Sequence, residues 1–356
     1  GIVGLATAFV LLEAGRRPLL IDPDGVAQGA SFGNAGALAF SDILPLASKG
    51  MLGKVPGWLA DPLGPLSIPP AYLAQITPWL ARFWRAGWPD RREASIAAQA
   101  RLMDLARTEM EALVRAAGLD AMVHADGVLE LYESDAELEA SLPGWAARER
   151  HGIAFEHVRG ARLADLQPGL APRFVAASFV PGWQTVSDPH LFASAIGDAV
   201  MARGGELLRA RVIAVQPAAG GVSIALGDGT ALAARQAVIA TGAHSKAFTS
   251  PLGDRIPLET ERGYNTTLPP GSFDLRRQLT FPGHGFVITP LETGIRIGGA
   301  VELGGLRLPP NYARADAMLQ KARRFLPGLR SGGGTQWMGF RPSLPDSLPV
   351  IGASAA

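Results

Sequence analysis

Apolar positions fall into segments whose period changes along the chain. Near the start, Ala8, Leu11 and Leu12 recur at helical spacing before Gly15, and Pro18 to Ile21 is a short apolar run ending at Asp22. This predicts a helix stopped by Gly15 and then a short strand. Residues 93–117 predict a longer helix with Leu102, Met103, Leu105, Ala106, Met110 and Leu113 on one side and Gly118 as its stop. The period then becomes strand-like in "GVLELYES" (127–134), after the Asp126-Gly127 turn signal, and in "FVAASFVPGW" (174–183). A helix at about 190–203 is opened by Asp188-Pro189 and closed by Gly204-Gly205. Three strands joined by Gly-rich turns follow as a meander: "LLRARVIAVQ" (207–216), "GVSIALGDG" (221–229) and "ALAARQAVIATG" (231–242). Within the last, Ala237 to Ala240 reads as a buried parallel strand delivering backbone to a cofactor. Two more strands in "GFVITPLETGIRIGGAVE" (285–302) pair around Glu292-Thr293-Gly294.

The first of these segments carries chemistry. Gly1 and Gly4 stand at the mouth of the first helix, where the absence of side chains lets backbone approach a pyrophosphate and free N–H groups hold its charge. Asp22, at the tip of the next strand, is placed to accept ribose hydroxyls. If Gly1 and Gly4 are the second and third glycines of G-x-G-x-x-G, the first glycine and its strand are expected upstream of residue 1. A helix flanked by convenient glycines is the plainer alternative.

Composition narrows the function classes. Of 356 residues, 47% are hydrophobic and 18% charged, which describes a folded chain long enough for two domains. Lys+Arg 33 against Asp+Glu 32, with no basic block, argues against nucleic acid as a partner. Without cysteine there is no disulfide, thiol catalysis or Cys-ligated zinc, which fits a reducing, cytoplasmic compartment, and the six scattered histidines suggest no metal site. No apolar run is long enough to span a bilayer. Residues 43–88 are oily, with Leu44, Leu46, Leu52, Trp58, Leu59, Leu63, Trp79, Leu80, Phe83, Trp84 and Trp88. They read as short helices packed on the protein's own core or, alternatively, as a peripheral membrane contact.

Five pieces in order then define a resemblance: the glycine turn with Asp22, "GASFGNAG" (29–36), "VIATGAHS" (238–245), "ERGYN" (261–265) and "MGFRPSLPDSLPVIG" (338–352). Together they resemble the FAD-dependent amine and amino-acid oxidoreductases of the D-amino-acid oxidase and glycine oxidase superfamily, and most of all the bacterial D-amino-acid dehydrogenases. The resemblance implies an α/β fold of two domains. A discontinuous, Rossmann-like FAD-binding domain of the glutathione-reductase type takes residues 1–42, 185–250 and 336–356, and a mixed-sheet substrate domain takes 43–184 and 251–335. It implies non-covalent FAD held by Gly1, Gly4, Asp22, Ser31, Asn34, Gly36, Val212, Thr241 and Gly242. The small residues at 29–36 agree with this, because they let several N–H groups converge on phosphate or flavin oxygens. The family continues beyond "PVIGASAA" into a Gly/His-rich turn and a final helix, so both ends of the sequence read as cut.

For the substrate, the resemblance implies that Arg341 clamps the α-carboxylate, a task suited to a planar guanidinium that donates two parallel charge-assisted bonds. Between Gly339 and Pro342, Arg341 is expected on a constrained turn, and an ion pair with Asp346 is the structural alternative. Tyr264 caps that carboxylate, shapes the pocket or packs in the core. His284 reaches the pocket mouth or is a turn residue. Arg262 and His244 read as structural. The implied reaction is oxidative deamination of a D-amino acid or cyclic imino acid by hydride transfer to flavin N5, giving an imino acid, then a keto acid and ammonia, with electrons passed to a quinone or carrier. Alternatives are a glycine- or sarcosine-type oxidase of the same fold and a non-catalytic carboxylate binder.

Overall fold

The computed structural model describes residues 1–355 apart from 49, 51–56, 58–63 and 65. In chain order the helices are α1 (Ile2–Glu13), α2 (Leu73–Ala86), α3 (Pro89–Ala117), α4 (Asp135–Arg150), α5 (Gly160–Leu166), α6 (Pro189–Ala202), α7 (Lys246–Thr249) and α8 (Ala313–Phe325). The strands are β1 (Leu19–Ile21), β2 (Ala37–Leu38), β3 (Leu66–Ser67), β4 (Val123–His124), β5 (Val128–Tyr132), β6 (Glu156–Val158), β7 (Ala176–Val180), β8 (Gln184–Val186) and β9 (Glu206–Leu208). They continue with β10 (Val212–Ala218), β11 (Gly221–Leu226), β12 (Ala231–Ala234), β13 (Glu259–Leu268), β14 (Gln278–Phe281), β15 (Phe286–Leu291), β16 (Gly294–Glu302) and β17 (Thr335–Ser343).

Two apolar cores organise these elements. In the first, α1 packs on α6 and the end of α3 through Leu5, Ala8 and Phe9 against Phe192, Ile196, Val200, Leu113 and Val114. Residues suited to helix ends mark some of the boundaries. Gly118 ends α3 at φ +69°, and Asp188 starts α6 by accepting from the N–H groups of His190 and Leu191. Beside this core, β1 pairs in parallel with β9.

The second core lies under a sheet ordered β17-β13-β16-β15-β14-β5-β7-β6, with β3 beside β16. Neighbours along that order are antiparallel except β14 and β5. One face is apolar: Leu129, Leu131, Leu279, Phe281, Ile288, Ile297, Tyr264 and Leu268 pack with Leu163 of α5 and Met318 and Phe325 of α8. Because side chains alternate along a strand, the other face takes Val128 and Glu130, Gln278 and Thr280, Arg296, Gly263 and Asn265, and Trp337, Gly339 and Arg341. This second face positions the site described below.

One charged knot is built into the first face. Arg262 is fully buried and donates to Glu302 Oε1 at 3.1 Å and to the carbonyls of Gly305, Pro309 and Leu308 at 2.7, 3.0 and 2.6 Å. The same Glu302 oxygen accepts from the Tyr264 hydroxyl at 3.0 Å, which in turn accepts from the Asn311 N–H at 2.9 Å. Arg262 thus holds the chain after β16 against β13, the structural role expected of it.

Several expectations are corrected. The predicted meander is split: residues 206–208 form β9 and pair with β1, and only β10, β11 and β12 form the antiparallel meander. Ala237 to Ala240 is not a buried strand. No described strand lies beside it to supply a ladder, and Val238 is 63% exposed. Leu105 of α3 faces solvent. Helix α4 was hidden by Pro143 near its middle, although Ser134 caps it by accepting from Glu137 N–H. In the oily region, Ile76 and Trp79 of α2 pack with Leu303, as the packed-helix reading expected. Leu46, Leu73, Trp84 and Trp88 are exposed, whereas Leu52, Trp58, Leu59 and Leu63 lie outside the described residues.

Replacing Glu302 with Ala strands a buried guanidinium. We expect unfolding free energy from urea titration to fall by about 3–5 kcal/mol, and a loss under 1 kcal/mol would show that the pair is not the clamp described here.

Candidate active site

Two clusters of small and polar residues meet across the second face of the large sheet. At the first, the N-terminus of α1 is closed by the loop at 29–36: Ser31, itself buried, accepts from the Ile2 N–H at 2.9 Å. The N–H groups of Val3 and Gly4 have no acceptor among the described residues, so the helix mouth offers donors and the positive end of its dipole. Gly4 lies against the turn after Ala240, whose methyl is 3.7 Å from where a Cβ would stand. In that turn Thr241 donates to Ser245 Oγ at 3.1 Å, and Gly242 adopts φ +55°. The Asp22 carboxylate lies 3.9 Å from the Gly1 nitrogen and accepts from Asp24 and Gly25 N–H at 3.0 and 3.1 Å while half-exposed. Gly1, Gly4, Asp22, Ser31, Thr241 and Gly242 are therefore gathered around one helix mouth. Val212 stands apart from these contacts, opening β10 opposite Leu226.

The second cluster ties the 29–36 loop to the sheet. Asn34 Oδ1 accepts from Gly36 N–H at 2.8 Å and fixes the left-handed φ of +68° at Gly36. Asn265 donates to the Gly33 carbonyl at 2.6 Å, and Arg296 donates to the Asn34 carbonyl at 2.7 Å. Gly33 has no room for a side chain, because a Cβ there would lie 2.4 Å from the Trp337 ring. Arg296 also bonds Thr267 Oγ1 at 2.9 Å and lies 3.5 Å from Asp188, the cap of α6. Burial pushes the Arg296 guanidinium below its usual range, and Asp188 opposes that shift.

Arg341 projects onto this face from β17, not from a turn. Gly339 and Pro342 are accommodated because β17 is the edge of the sheet, where a missing N–H costs little. The side chain crosses β13 at Gly263, where a Cβ would lie 2.3 Å from Nη2, and reaches β16. There it makes only long bonds to the carbonyls of Ala300 and Gly299, at 3.5 and 3.3 Å. The expected alternative, an ion pair with Asp346, is absent: Asp346 accepts from Leu348 N–H, and the acid facing Arg341 is Glu261, already bonded to Ser343 Oγ at 2.6 Å. Desolvation by the surrounding walls lowers the Arg341 pKa, with Glu261 opposing, yet the residue remains open to solvent.

Tyr264 is on the opposite face, in the core, with its hydroxyl committed to Glu302 and Asn311. Of its expected roles, core packing is the one the structure accommodates. His284 sits on the turn between β14 and β15, bonded to Glu133 at 2.9 Å and tilted against the Phe325 ring, and none of these contacts involves Arg341. His244 packs near Phe340. Sequence reasoning missed Gly263, Asn265, Arg296, Trp337 and Asp188. The alternation of "ERGYN" and "GIRIG" carried a signal, since both place polar or small residues at every second position.

A helix mouth with open N–H donors, an acidic strand tip and a narrow loop of small residues suit an extended anionic dinucleotide. These residues fit FAD.

The description "FAD dependent oxidoreductase" (DAO) is that of the family model matching residues 1–356. The chain is 33% identical over 366 residues to a D-amino-acid oxidase of Bradyrhizobium diazoefficiens, covering 100% of this chain and 86% of that protein. It is 29% identical to a D-amino acid dehydrogenase of Xylella fastidiosa (strain M12), covering 99% of this chain and 83% of that protein. Among solved structures, glycine oxidase from Geobacillus kaustophilus superposes with a TM-score of 0.72 at 19% identity, over 99% of this chain and 83% of that one. L-proline dehydrogenase from P. horikoshii gives 0.70 at 18%, over 99% and 82%. These two share the mixed α/β fold with its mixed sheet. The match along the whole chain and the site's geometry agree: the protein belongs to the DAO family and is an FAD-dependent oxidoreductase.

Proposed function

We propose that the protein oxidises the α-amine of a D-amino acid or a cyclic imino acid and passes the electrons to a quinone or another carrier. The observation that carries this reading is Arg341: a guanidinium laid over Gly263, on the sheet face whose Trp337 and Asn265 meet the 29–36 loop, with two long bonds to carbonyls as its hydrogen bonds among the described residues. The names of the D-amino-acid oxidase and dehydrogenase relatives support the choice of substrate class.

In this reading Arg341 receives the substrate carboxylate in two parallel bonds, which fix its position and plane. Trp337 and Asn265 fix the 29–36 loop on the same face as Arg341, and that loop would help hold FAD beside the bound substrate. Bound FAD supplies the two-electron acceptor that takes the Cα–H as hydride from the neutral amine. From a primary amine, water hydrolyses the released imino acid to a keto acid and ammonia; a cyclic substrate leaves as its cyclic imine, with the nitrogen retained. Residues 1–42, 185–250 and 336–356 hold the cofactor, and 43–184 with 251–335 shape the substrate space. The exposed Leu73, Trp84 and Trp88, near Arg82 and Arg85, are suited to contact with a membrane that carries the quinone.

Anaerobic mixing of the flavin-loaded protein with D-amino acids should abolish the yellow flavin absorbance; retention with every D-amino acid tested, including D-proline, would refute the reading. Arg341→Ala should raise KM about 10- to 100-fold, as expected for loss of a bidentate charged bond, and Gly263→Ala should approach the same defect by displacing the guanidinium. A Gly263→Ala enzyme with unchanged KM would mean that Arg341 is not the anchor. Ser31→Ala removes the acceptor for Ile2 N–H and should weaken FAD binding about fivefold, equivalent to roughly 1 kcal/mol, as measured by flavin-fluorescence titration.

A further inference from the structure

On the same sheet face as Arg341, a recess of about 180 Å³ opens over β14, β5 and β7. Its walls include Asp42, Glu130, Trp145, Arg148, Trp183 and Thr280. None of these belongs to the carboxylate site or the dinucleotide cradle. Three charges line it and they do not balance. Arg148 stacks 4.4 Å over the Trp145 ring, bonds the Ser41 carbonyl at 3.4 Å and lies 3.5 Å from Asp42. Glu130 accepts only from the Tyr132 hydroxyl, at 3.2 Å, and has no ion-pair partner among the described residues. Burial raises the pKa of Glu130 despite Arg148, and the neighbouring Asp42 adds to the rise. A partly buried carboxylate in this state is stabilised by an added cation, and the aromatic ring of Trp183 lines the same recess.

The register of the sheet sets the distance to Arg341. Arg341 Nη2 bonds the carbonyl of Gly299, Gly299 pairs with Phe286 and Phe286 pairs with Phe281, which is flanked by the recess residues Thr280 and Pro282. Thr280 pairs in turn with Glu130. At about 4.8 Å per strand, Glu130 lies roughly 14 Å from the Arg341 end of the path. An amino acid held by its carboxylate, with an extended side chain of four methylenes and a terminal ammonium, spans about the same length when its two end hydrogen bonds are included.

Resting on the amino-acid oxidation reading above, we propose that the recess receives the far end of the substrate side chain and that Glu130 selects side chains ending in a cation, an ammonium or a guanidinium. Trp183 would cover the cation, and Arg148, tied to Asp42, fixes the second carboxylate so that one net negative charge remains for the substrate.

The test compares kcat/KM of the flavin-loaded protein for D-lysine, its uncharged counterpart D-norleucine, and D-glutamate. D-lysine should exceed D-norleucine at least about tenfold, and Glu130→Gln should bring that ratio close to one. A general structural defect would lower both substrates and leave the ratio in place. Equal use of D-lysine and D-norleucine by the wild type would overturn the proposal, as would an unchanged ratio in Glu130→Gln. A preference for D-glutamate would overturn it in favour of pairing with Arg148. Because oxidation of all three could fail for another reason, agmatine, a guanidinium without a carboxylate, is titrated separately by quenching of tryptophan fluorescence. Quenching by wild type that is lost in Glu130→Gln and kept in part by Glu130→Asp supports the recess even if the oxidation reading falls. Absence of agmatine binding to the wild type counts against it.

Discussion

The pleat of β13 is the constraint on which the rest of the structure depends. Five consecutive residues, Glu261 to Asn265, serve two faces in alternation. Arg262 and Tyr264 point into the core and hold the chain after β16 through Glu302 and Asn311. Glu261, Gly263 and Asn265 point the other way, and there Gly263 makes the space that Arg341 fills while Asn265 grips the 29–36 loop. A register slip of one residue would exchange the two sets, burying the open face and exposing a charged knot. The buried Arg262 pair therefore does more than fill the core: it fixes which side of the strand the site occupies.

Two arginines on the open face differ in how far the protein itself satisfies them. Desolvation lowers the pKa of both Arg296 and Arg341. Arg296 has a hydroxyl, a carbonyl and a carboxylate around it, which satisfy its fork and lock the loop to the cap of α6. Arg341 has two carbonyls at long range and an acid already engaged elsewhere. A guanidinium with so few protein partners keeps donors for a ligand, and in the reading proposed above that ligand is the substrate carboxylate.

Much of this was legible in the sequence where local physics decides the outcome. The Gly15 stop, the Asp188 cap and the turn before Gly294 act within a few residues, so α1, α6 and the β15–β16 pair were read directly. What depends on a partner far along the chain was not legible. Ala237 to Ala240 has strand composition but pairs with none of the described strands, and β17 carries Gly339 and Pro342, which read as a turn until the strand is known to be an edge. Tyr264 illustrates the same limit, because strand periodicity shows that one face is buried without showing which. The candidate site was half legible. The glycine mouth was legible from residue type, and Ser31 and Arg341 through the family resemblance, whereas Gly263, Asn265 and Trp337 matter only through contacts across the sheet.

The most direct measurement is a crystal structure of the flavin-loaded protein with an unreactive carboxylate analogue of a D-amino acid. The account predicts both carboxylate oxygens within about 3 Å of the Arg341 guanidinium nitrogens, between β13 and the 29–36 loop, with the bonds to Gly299 and Ala300 lengthened or replaced. An analogue bound elsewhere, with Arg341 still resting on those two carbonyls, would contradict it.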